Sequence, residues 1–178
     1  MTPTELEAQL RWLHKESWGW ALQCCGRVEP DAEDVLQTAY LKVVSGSARF
    51  AGRSAFKTWL FGVIRRTALE HHRRTKSLDR RAERFAAEEG RIEAPDHPER
   101  DLLRAEDGRA LAAALELLSE RQREVLHLVF YQDLTIAEAA EVMEVGLGSA
   151  RTHYERGKAR LRTLLQENEA HERPAAGQ

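Results

Sequence analysis

Apolar side chains recur at intervals of three and four positions along most of this chain, and that spacing predicts amphipathic helices. Three such stripes are clear. They comprise Leu36, Ala39, Tyr40 and Val43; Phe56, Trp59, Leu60, Val63 and Thr67; and Ala150, Tyr154, Gly157, Leu161 and Leu164. Residues 1–75 show no alternating pattern of the kind that strands require. The chain is therefore predicted to be all-α.

Three Ser/Thr-x-x-Glu/Gln sequences mark predicted helix starts, because the hydroxyl accepts an unpaired backbone N–H and the longer side chain reaches back. They begin at Thr4, Ser119 and Thr135. After the short helix that follows Thr135, the glycines Gly146 and Gly148 predict a turn whose residues tolerate unusual φ. Large core anchors are predicted near the N-terminus: Trp12, Trp18 and Trp20.

The last helix of the chain has one apolar face and one basic, polar face. The polar face carries Arg151, Thr152, Glu155, Arg156, Lys158 and Arg162. A short helix, a glycine-bearing turn and a basic third helix predict a helix-turn-helix, whose last helix enters a DNA major groove. The alternative is a plain three-helix bundle with a solvated basic face.

Charge is segregated along the chain, although the formal net charge is only −2. Residues 49–81 contain ten basic and two acidic residues, whereas residues 82–120 contain eleven acidic residues and five arginines. This pattern is typical of a phosphate-binding surface beside an acidic connector. In the basic segment, cations alternate with aromatic residues such as Phe50 and Phe61, which fits single-stranded nucleic acid. For Phe56 and Trp59 we prefer a place in the core.

Four segments follow from these patterns. They are a helical domain at 1–75, a flexible acidic linker at 76–98, a helix-turn-helix domain at 99–166 and a disordered tail at 167–178. We expect two small helical domains joined by a polar linker.

The composition favours a reducing, cytoplasmic setting without cofactors. Adjacent Cys24 and Cys25 cannot build an ordinary disulfide framework, and no apparent signal peptide or membrane-spanning apolar run occurs. A metal enzyme using these cysteines with His71 and His72 is disfavoured, because adjacent helical residues point about 100° apart. We therefore predict no catalytic residue, no metal and no cofactor.

Three motifs in order resemble one known family across nearly the whole chain. DAEDVLQTAYLKV resembles region 2.2 of the extracytoplasmic-function (group 4) sigma factors of bacterial RNA polymerase. FAGRSAFKTWLFGVIRRTALEHHRR resembles their regions 2.3 and 2.4, and LSERQREVLHL with the following helix-turn-helix resembles region 4. The resemblance implies an initiation factor with no enzymatic activity. Such a factor binds the clamp helices and the flap of core RNA polymerase, and it recognises and opens promoter DNA. An anti-sigma factor is a further expected partner.

The resemblance also implies roles for individual residues. The surface that contacts polymerase would comprise Asp34, Gln37 and Leu41. The minus-ten promoter element would be read and melted by Phe50, Arg53, Ser54, Lys57, Phe61, Arg65, Arg66, Arg73 and Arg74. The minus-thirty-five element would meet Ser149, Arg151, Thr152, Glu155, Arg156 and Lys158 in duplex form.

A second interpretation is a helix-turn-helix regulator similar to the LuxR type, which would act without stable binding to core polymerase. Those regulators carry an α/β receiver, and residues 1–75 lack its strand pattern.

Overall fold

The computed structural model describes residues 2–85 and 105–172, with side chains described for 2–77 and 110–167. Every regular element within those ranges is an α-helix, which confirms the all-α prediction. The helices are α1 (Pro3–Trp12), α2 (His14–Cys24), α3 (Glu29–Val44), α4 (Phe56–Phe85), α5 (Ala105–Glu116), α6 (Glu120–Phe130), α7 (Ile136–Met143) and α8 (Leu147–Glu172). Helices α1–α4 form an N-terminal module and α5–α8 form a C-terminal module.

The N-terminal module is built around Trp20, which is fully buried between α2 and α4. Its Nε1 donates to the backbone oxygen of Phe61 at 3.0 Å, and the two rings stack with centroids 6.1 Å apart. The prediction that Trp12 is a core anchor is wrong, because its side chain is 73% exposed. The chain breaks between α1 and α2 at Leu13, and that break turns Leu13 inward instead.

The first helix starts two residues earlier than predicted. Thr2 is the N-cap of α1, and its hydroxyl accepts from the backbone N–H of Glu5 at 3.2 Å. Pro3 follows at the first helical position, where a missing N–H does no harm. Glu7, the expected partner of Thr4, instead pairs with Arg11 one turn later.

The two capping boxes predicted for the C-terminal module are present. Ser119 caps α6 together with Gln122, and Thr135 caps α7 together with Glu138. The turn between α7 and α8 differs from the prediction, because the residue with positive φ (55°) is Glu144 and neither glycine. Its N–H bonds back to the carbonyl of Ala140, so a charged C-cap residue closes α7.

The apolar stripe of α8 faces α6 and α7, as its spacing predicts. Ala150 is fully buried and Leu164 nearly so. Gly157 permits a close crossing, since a Cβ at this position would lie 3.2 Å from Leu126 Cδ1. The helix-turn-helix is thus held at a fixed distance from α6.

The two modules pack against each other. Helix α4 lies against α7, and α2 lies against α6. Every residue from Leu60 to Arg65 is buried, so this part of α4 has no exposed side. A helix that is buried on all sides must have several neighbours, and here those neighbours are α2 and α3 of its own module and α7 of the other.

Helical structure extends beyond the predicted domain limits. Helix α4 continues to Phe85, so residues 76–85 of the predicted linker are helical. Helix α8 continues to Glu172, six residues into the predicted tail. These segments were predicted to be non-helical because they lack an apolar stripe. The lack of a stripe indicates only that a helix has no side facing a core, and charged residues such as Arg and Glu are good helix formers. The remaining parts of the linker and tail, and residues 99–104 of the predicted C-terminal domain, lie outside the described residues.

Candidate nucleic-acid and polymerase interfaces

The N-terminal part of α8 presents an exposed polar face. Its side chains are those predicted to meet duplex DNA: Ser149, Arg151, Thr152, Glu155 and Arg156, with Lys158 half-buried beside them. Lys158 Nζ pairs with Glu155 at 3.2 Å and lies 4.4 Å from the ring centre of Tyr154. Arg151 and Arg156 have no carboxylate partner among the described side chains, so they are available to a ligand.

Two contacts hold the helix-turn-helix in shape. Arg121 Nη1 donates to the backbone oxygen of Met143 at 3.2 Å, at the end of α7. At the other end of α7, the backbone N–H and the hydroxyl of Thr135 both donate to the carboxylate of Glu138. These two hydrogen bonds, of which the one from the backbone N–H has the larger effect, lower the pKa of Glu138 and keep the carboxylate ionised. Both ends of the short helix α7 are therefore held by side-chain contacts.

Three predicted polymerase contacts lie together on one exposed face of α3. Asp34, Gln37 and Leu41 are exposed, and Leu41 is 64% exposed despite being apolar. Val44, which the sequence interpretation missed, continues this face and is 67% exposed. Its position three residues after Leu41 is the helical spacing that would have identified it. We call these four residues the α3 face.

The loop before α4 and the start of that helix form a cluster of three aromatic rings. Phe50, Phe56 and Trp59 lie with ring centroids 5.3 Å apart in each pair, and all three are half-buried. Arg53 is exposed and Ser54 half-buried beside them. Partly open aromatic rings next to cations can receive an unstacked base. Phe56 and Trp59 thus belong to the edge of the module rather than to its centre.

Two residues predicted to contact minus-ten DNA are buried in this structure. Phe61 is fully buried, and we correct its assignment to a core residue that stacks on Trp20. Arg65 is 4% exposed and forms an ion pair with Glu124 of α6, with Nε 2.7 Å from Oε1. Residues Thr58, Phe61, Arg65 and Ala68 follow each other at spacings of three and four, a stripe that would have placed Arg65 inward.

The remaining cations of α4 divide into two groups. Lys57 donates to the backbone oxygen of Gln132 at 2.8 Å, and Arg66 pairs with Glu144 at 2.8 Å. Arg73 and Arg74, farther along the helix, are exposed and have no ion pair among the described side chains. The module interface therefore occupies the first half of the basic helix and leaves the second half open.

The cysteines show no sign of reactivity. Burial raises the pKa of Cys24 well above its ordinary value and raises the pKa of Cys25 to about 12. Both thiols are therefore protonated at neutral pH. His72 contacts the backbone oxygen of Cys24, and His71 faces Asp31. Within the described residues, no group of three potential ligands could hold a metal ion.

In the part of the chain that the structure describes, no helix has the length and apolar character needed to cross a membrane.

Comparison with known proteins identifies related sequences in both modules. Residues 10–78 match the family model described as sigma-70 region 2, and residues 108–161 match sigma-70, region 4. RNA polymerase sigma-H factor of Pseudomonas aeruginosa is 31% identical over 142 residues, which cover 76% of this chain and 74% of that protein. ECF RNA polymerase sigma factor SigX of Bacillus subtilis is 30% identical, with 75% and 70% covered.

Two solved structures share the fold. The sigma factor RpoE in complex with the anti-sigma factor NepR from Bartonella quintana superposes with a TM-score of 0.68 at 22% identity, covering 91% of this chain and 97% of that one. CnrH in complex with the cytosolic domain of CnrY superposes with a TM-score of 0.60 at 22% identity, covering 90% and 87%.

Proposed function

The chain belongs to the extracytoplasmic-function sigma factors of bacterial RNA polymerase, and from that premise we propose which of its surfaces carries each part of initiation. It is an alternative sigma factor that directs promoter-specific transcription, with core RNA polymerase and promoter DNA as its partners. The observation that supports the assignment of surfaces best is the exposed face of α8, because its arginines lack partners within the described structure.

For the minus-thirty-five element, we assign duplex recognition to the exposed face of α8. Helix-turn-helix proteins place the first turns of the third helix in the major groove, where arginine can bond guanine in a bidentate way. Arg151 and Arg156 are the candidates for base contacts. Ser149, Thr152 and Glu155 are short or polar neighbours, and Lys158 lies one turn farther along for phosphate contact.

For the minus-ten element, we assign strand capture to the three-ring cluster and the cations near it. Opening a promoter requires unstacking of bases at a cost of a few kcal/mol, and aromatic stacking returns about 1–3 kcal/mol per base. Phe50 is the ring on the loop, with Arg53, Ser54 and Lys57 around it. Arg73 and Arg74 extend the cationic path along α4.

For polymerase binding, we propose that the α3 face contacts the clamp helices of core RNA polymerase and that the C-terminal module contacts its flap. An exposed Leu and Val beside Asp and Gln combine an apolar centre with a polar rim, which is typical of protein interfaces. Initiation by this chain needs no catalytic residue of its own, because the polymerase performs the chemistry in the cytoplasm. An anti-sigma factor is a further partner that we propose, because one structural neighbour, RpoE, was solved in complex with the anti-sigma factor NepR.

The domain limits that we propose keep the predicted division, with a region 2 module through residue 75 and a region 4 module from residue 99. The two family matches, to residues 10–78 and 108–161, support this division. The helical extension of α4 beyond residue 75 then belongs to the connection between them.

The test is in vitro transcription with purified core polymerase over a promoter library. Start-site-specific RNA that depends on this chain is the expected result. The competing function, a LuxR-like regulator, predicts no stoichiometric complex with isolated core enzyme and no transcription in its presence. An additional variant, Phe50→Ala, is expected to impair strand opening more than closed-complex binding, as measured by permanganate footprinting. Normal melting in this variant would contradict the assignment of the aromatic cluster.

A further inference from the structure

One carboxylate lies among the cations in the N-terminal part of α8. Between residues 147 and 162 the chain has a single acid, Glu155, and five cations, which are Arg151, Arg156, Lys158, Arg160 and Arg162. The side chain of Glu155 is 67% exposed. Because phosphate repels a carboxylate, an acid at this place lowers the affinity of α8 for DNA of any sequence. A residue with that effect can contribute to DNA binding only by discriminating between sequences.

The carboxylate of Glu155 is held in place by a short series of contacts. Lys158 Nζ lies 3.2 Å from Oε1 of Glu155 and 4.4 Å from the ring centre of Tyr154. The ring of Tyr154 stacks on Phe130 of α6, with centroids 5.9 Å apart and planes inclined by 26°. Within the described part of the chain, the second oxygen of Glu155, Oε2, has no hydrogen-bond or ion-pair partner. Glu155 is therefore oriented through one oxygen and presents a hydrogen-bond acceptor with the other.

The base edges in the major groove differ in how well they suit a carboxylate. An ionised carboxylate can only accept hydrogen bonds. Guanine presents two acceptors, and thymine presents an acceptor and a methyl group, so neither can donate to it. Adenine has an amino donor beside the acceptor N7, whereas cytosine has an amino donor and no acceptor on this edge. Cytosine is therefore the base that fits a carboxylate best.

We propose that Glu155 is a specificity-determining residue, which selects a C·G pair at one position of the minus-thirty-five element by accepting a hydrogen bond from the cytosine amino group. This inference rests on the proposed role of α8 in duplex recognition and adds the identity of one base pair. Arg151 lies one helical turn earlier, where its guanidinium suits the acceptors of a guanine in a neighbouring pair.

Lys158 is a positioning residue in this proposal, because its ion pair orients the carboxylate that reads the base. The side chain of Lys158 is 32% exposed and lies against the ring of Tyr154, which limits the directions that the ammonium group can take. An ammonium group has three donors, so Lys158 can hold Glu155 and still contact a phosphate.

The competing interpretation is that Glu155 and Lys158 form a surface ion pair with no part in recognition. Exposed pairs of this kind contribute little to stability and are common on helices. In that case, replacing Glu155 would change binding to all DNA sequences by the same factor. Base reading predicts instead that the preference changes at one position of the element and at no other.

The experiment uses the full-length chain bound to core polymerase and a duplex promoter library that is randomised across the minus-thirty-five element. Sequencing of the bound DNA gives the enrichment of each base pair at each position. The variants Glu155→Ala and Glu155→Gln remove the carboxylate. Glu141→Gln is the matched control, because it removes the same charge from an exposed position of α7 that has no ion pair among the described side chains.

For the unmodified chain, we expect C·G to be enriched about tenfold over the other pairs at one position. Glu155→Ala should make the four pairs about equal there. Glu155→Gln should change the preference to A·T, because a glutamine amide bonds both N6 and N7 of adenine. Both variants should bind the library as a whole more tightly, since a negative charge is lost. Glu141→Gln should keep the base profile of the unmodified chain.

The role of Lys158 is tested in the same library. Lys158→Met should weaken binding to all sequences and also reduce the C·G enrichment at the position that depends on Glu155. Lys158→Arg should restore that enrichment, because arginine can pair with the same carboxylate. An unchanged base profile in Lys158→Met would overturn its positioning role.

Identical base profiles in the unmodified chain, Glu155→Ala and Glu155→Gln would overturn the inference. A preference that depends on Glu155 but favours a pair other than C·G would overturn the assignment of the base. If the unmodified holoenzyme enriched no minus-thirty-five sequence at all, the proposed role of α8 would fail together with the inference. Start-site-specific transcription by the unmodified chain tests the proposed function separately, so a failure of base reading by Glu155 alone leaves that function intact.

Discussion

The two helices assigned to DNA are presented in opposite ways. The arginines of α8 at 151 and 156 are exposed, whereas Arg65 of α4 is buried in an ion pair and Lys57 contacts a backbone oxygen of the other module. Helix α8 packs with one face and leaves the other in water. Helix α4 is enclosed on both sides over the stretch from Leu60 to Arg65. The number of basic residues in a helix therefore does not indicate how accessible that helix is to DNA.

The difference shows that a basic residue in a helix can hold two modules together instead of facing a ligand. An arginine on a one-sided helix meets its ligand directly. An arginine between two packed modules pairs with a carboxylate, as Arg65 does with Glu124. A buried ion pair of this kind adds little net stability compared with apolar residues of similar volume.

The largest expected effect separates core from contact residues on α4. Phe61→Ala should lower the free energy of unfolding by about 3–5 kcal/mol, since the ring is fully buried and its removal leaves a cavity beside Trp20. Urea denaturation followed by circular dichroism measures this change. Phe50→Ala is the matched control, because that ring is only half-buried. If both variants lost the same stability, the division between core Phe61 and accessible Phe50 would be wrong.

The one-sided helix was predictable from sequence, and the enclosed one was not. For α8, the stripe from Ala150 to Leu164 separates apolar from basic positions without conflict. For α4, a stripe through Leu60 and Val63 identified one buried side, and the charge of Arg65 suggested that it faced solvent. Its true partner, Glu124, lies 59 positions later in the chain. Such long-range pairing follows from the packing of the modules, which periodicity within one helix does not contain.

The chain also shows where local signals were sufficient and where they failed. The caps at Ser119 and Thr135 were predicted correctly because they depend on residues three positions apart. The positive φ of Glu144 was missed, because two nearby glycines were the more obvious candidates. Glu144 also pairs with Arg66 across the interface, a contact that no local rule predicts.

The second prediction concerns how the free energy of unfolding depends on pH through His127, which lies where α2 and α6 meet. Burial, and then the charge of Arg27, lower the pKa of His127 to about 4. Its Nε2 lies 3.1 Å from Gln132 Nε2, and its ring lies 5.5 Å from that of Trp20 and 5.3 Å from that of Tyr131. Between the ordinary pKa of 6.5 and the folded value of about 4, the unfolded chain binds a proton that the folded chain does not. Stability should therefore fall as the pH decreases through this window.

The expected loss from His127 between pH 7 and pH 5 is about 2 kcal/mol. Urea denaturation at both pH values measures it. In His127→Gln this contribution should disappear, because glutamine does not titrate. An unchanged pH dependence in His127→Gln would mean that other groups determine the acid sensitivity of the junction.

The third prediction tests the exposed face of α8. Arg151→Ala and Arg156→Ala should each weaken binding to duplex promoter DNA by about 1–3 kcal/mol, as expected for arginines that contact bases. Arg160→Ala is the matched control, because it removes the same charge from an exposed position farther along α8. Binding is measured by fluorescence anisotropy at fixed salt. Equal affinities for the three variants and the unmodified chain would contradict the assignment of the recognition face.

The smallest effect is expected at the N-cap of α7, the helix that touches both α4 and α8. Thr135→Ala removes the hydroxyl that accepts from the N–H of Glu138 at 3.2 Å, and the free energy of unfolding should fall by about 1 kcal/mol. Thr135→Ser keeps the hydroxyl and should retain most of the stability.

Because folding lowers the pKa of Glu138, the stabilising contribution of its carboxylate is present above the ordinary pKa of 4.5 and is lost as the pH falls through the folded pKa. The effect of Thr135→Ala should therefore be the same at pH 7 and pH 5, unlike that of His127→Gln. A marked difference between these two pH values would show that the cap is coupled to the histidine junction, and α7 would then transmit acid-induced loosening of the interface to α8.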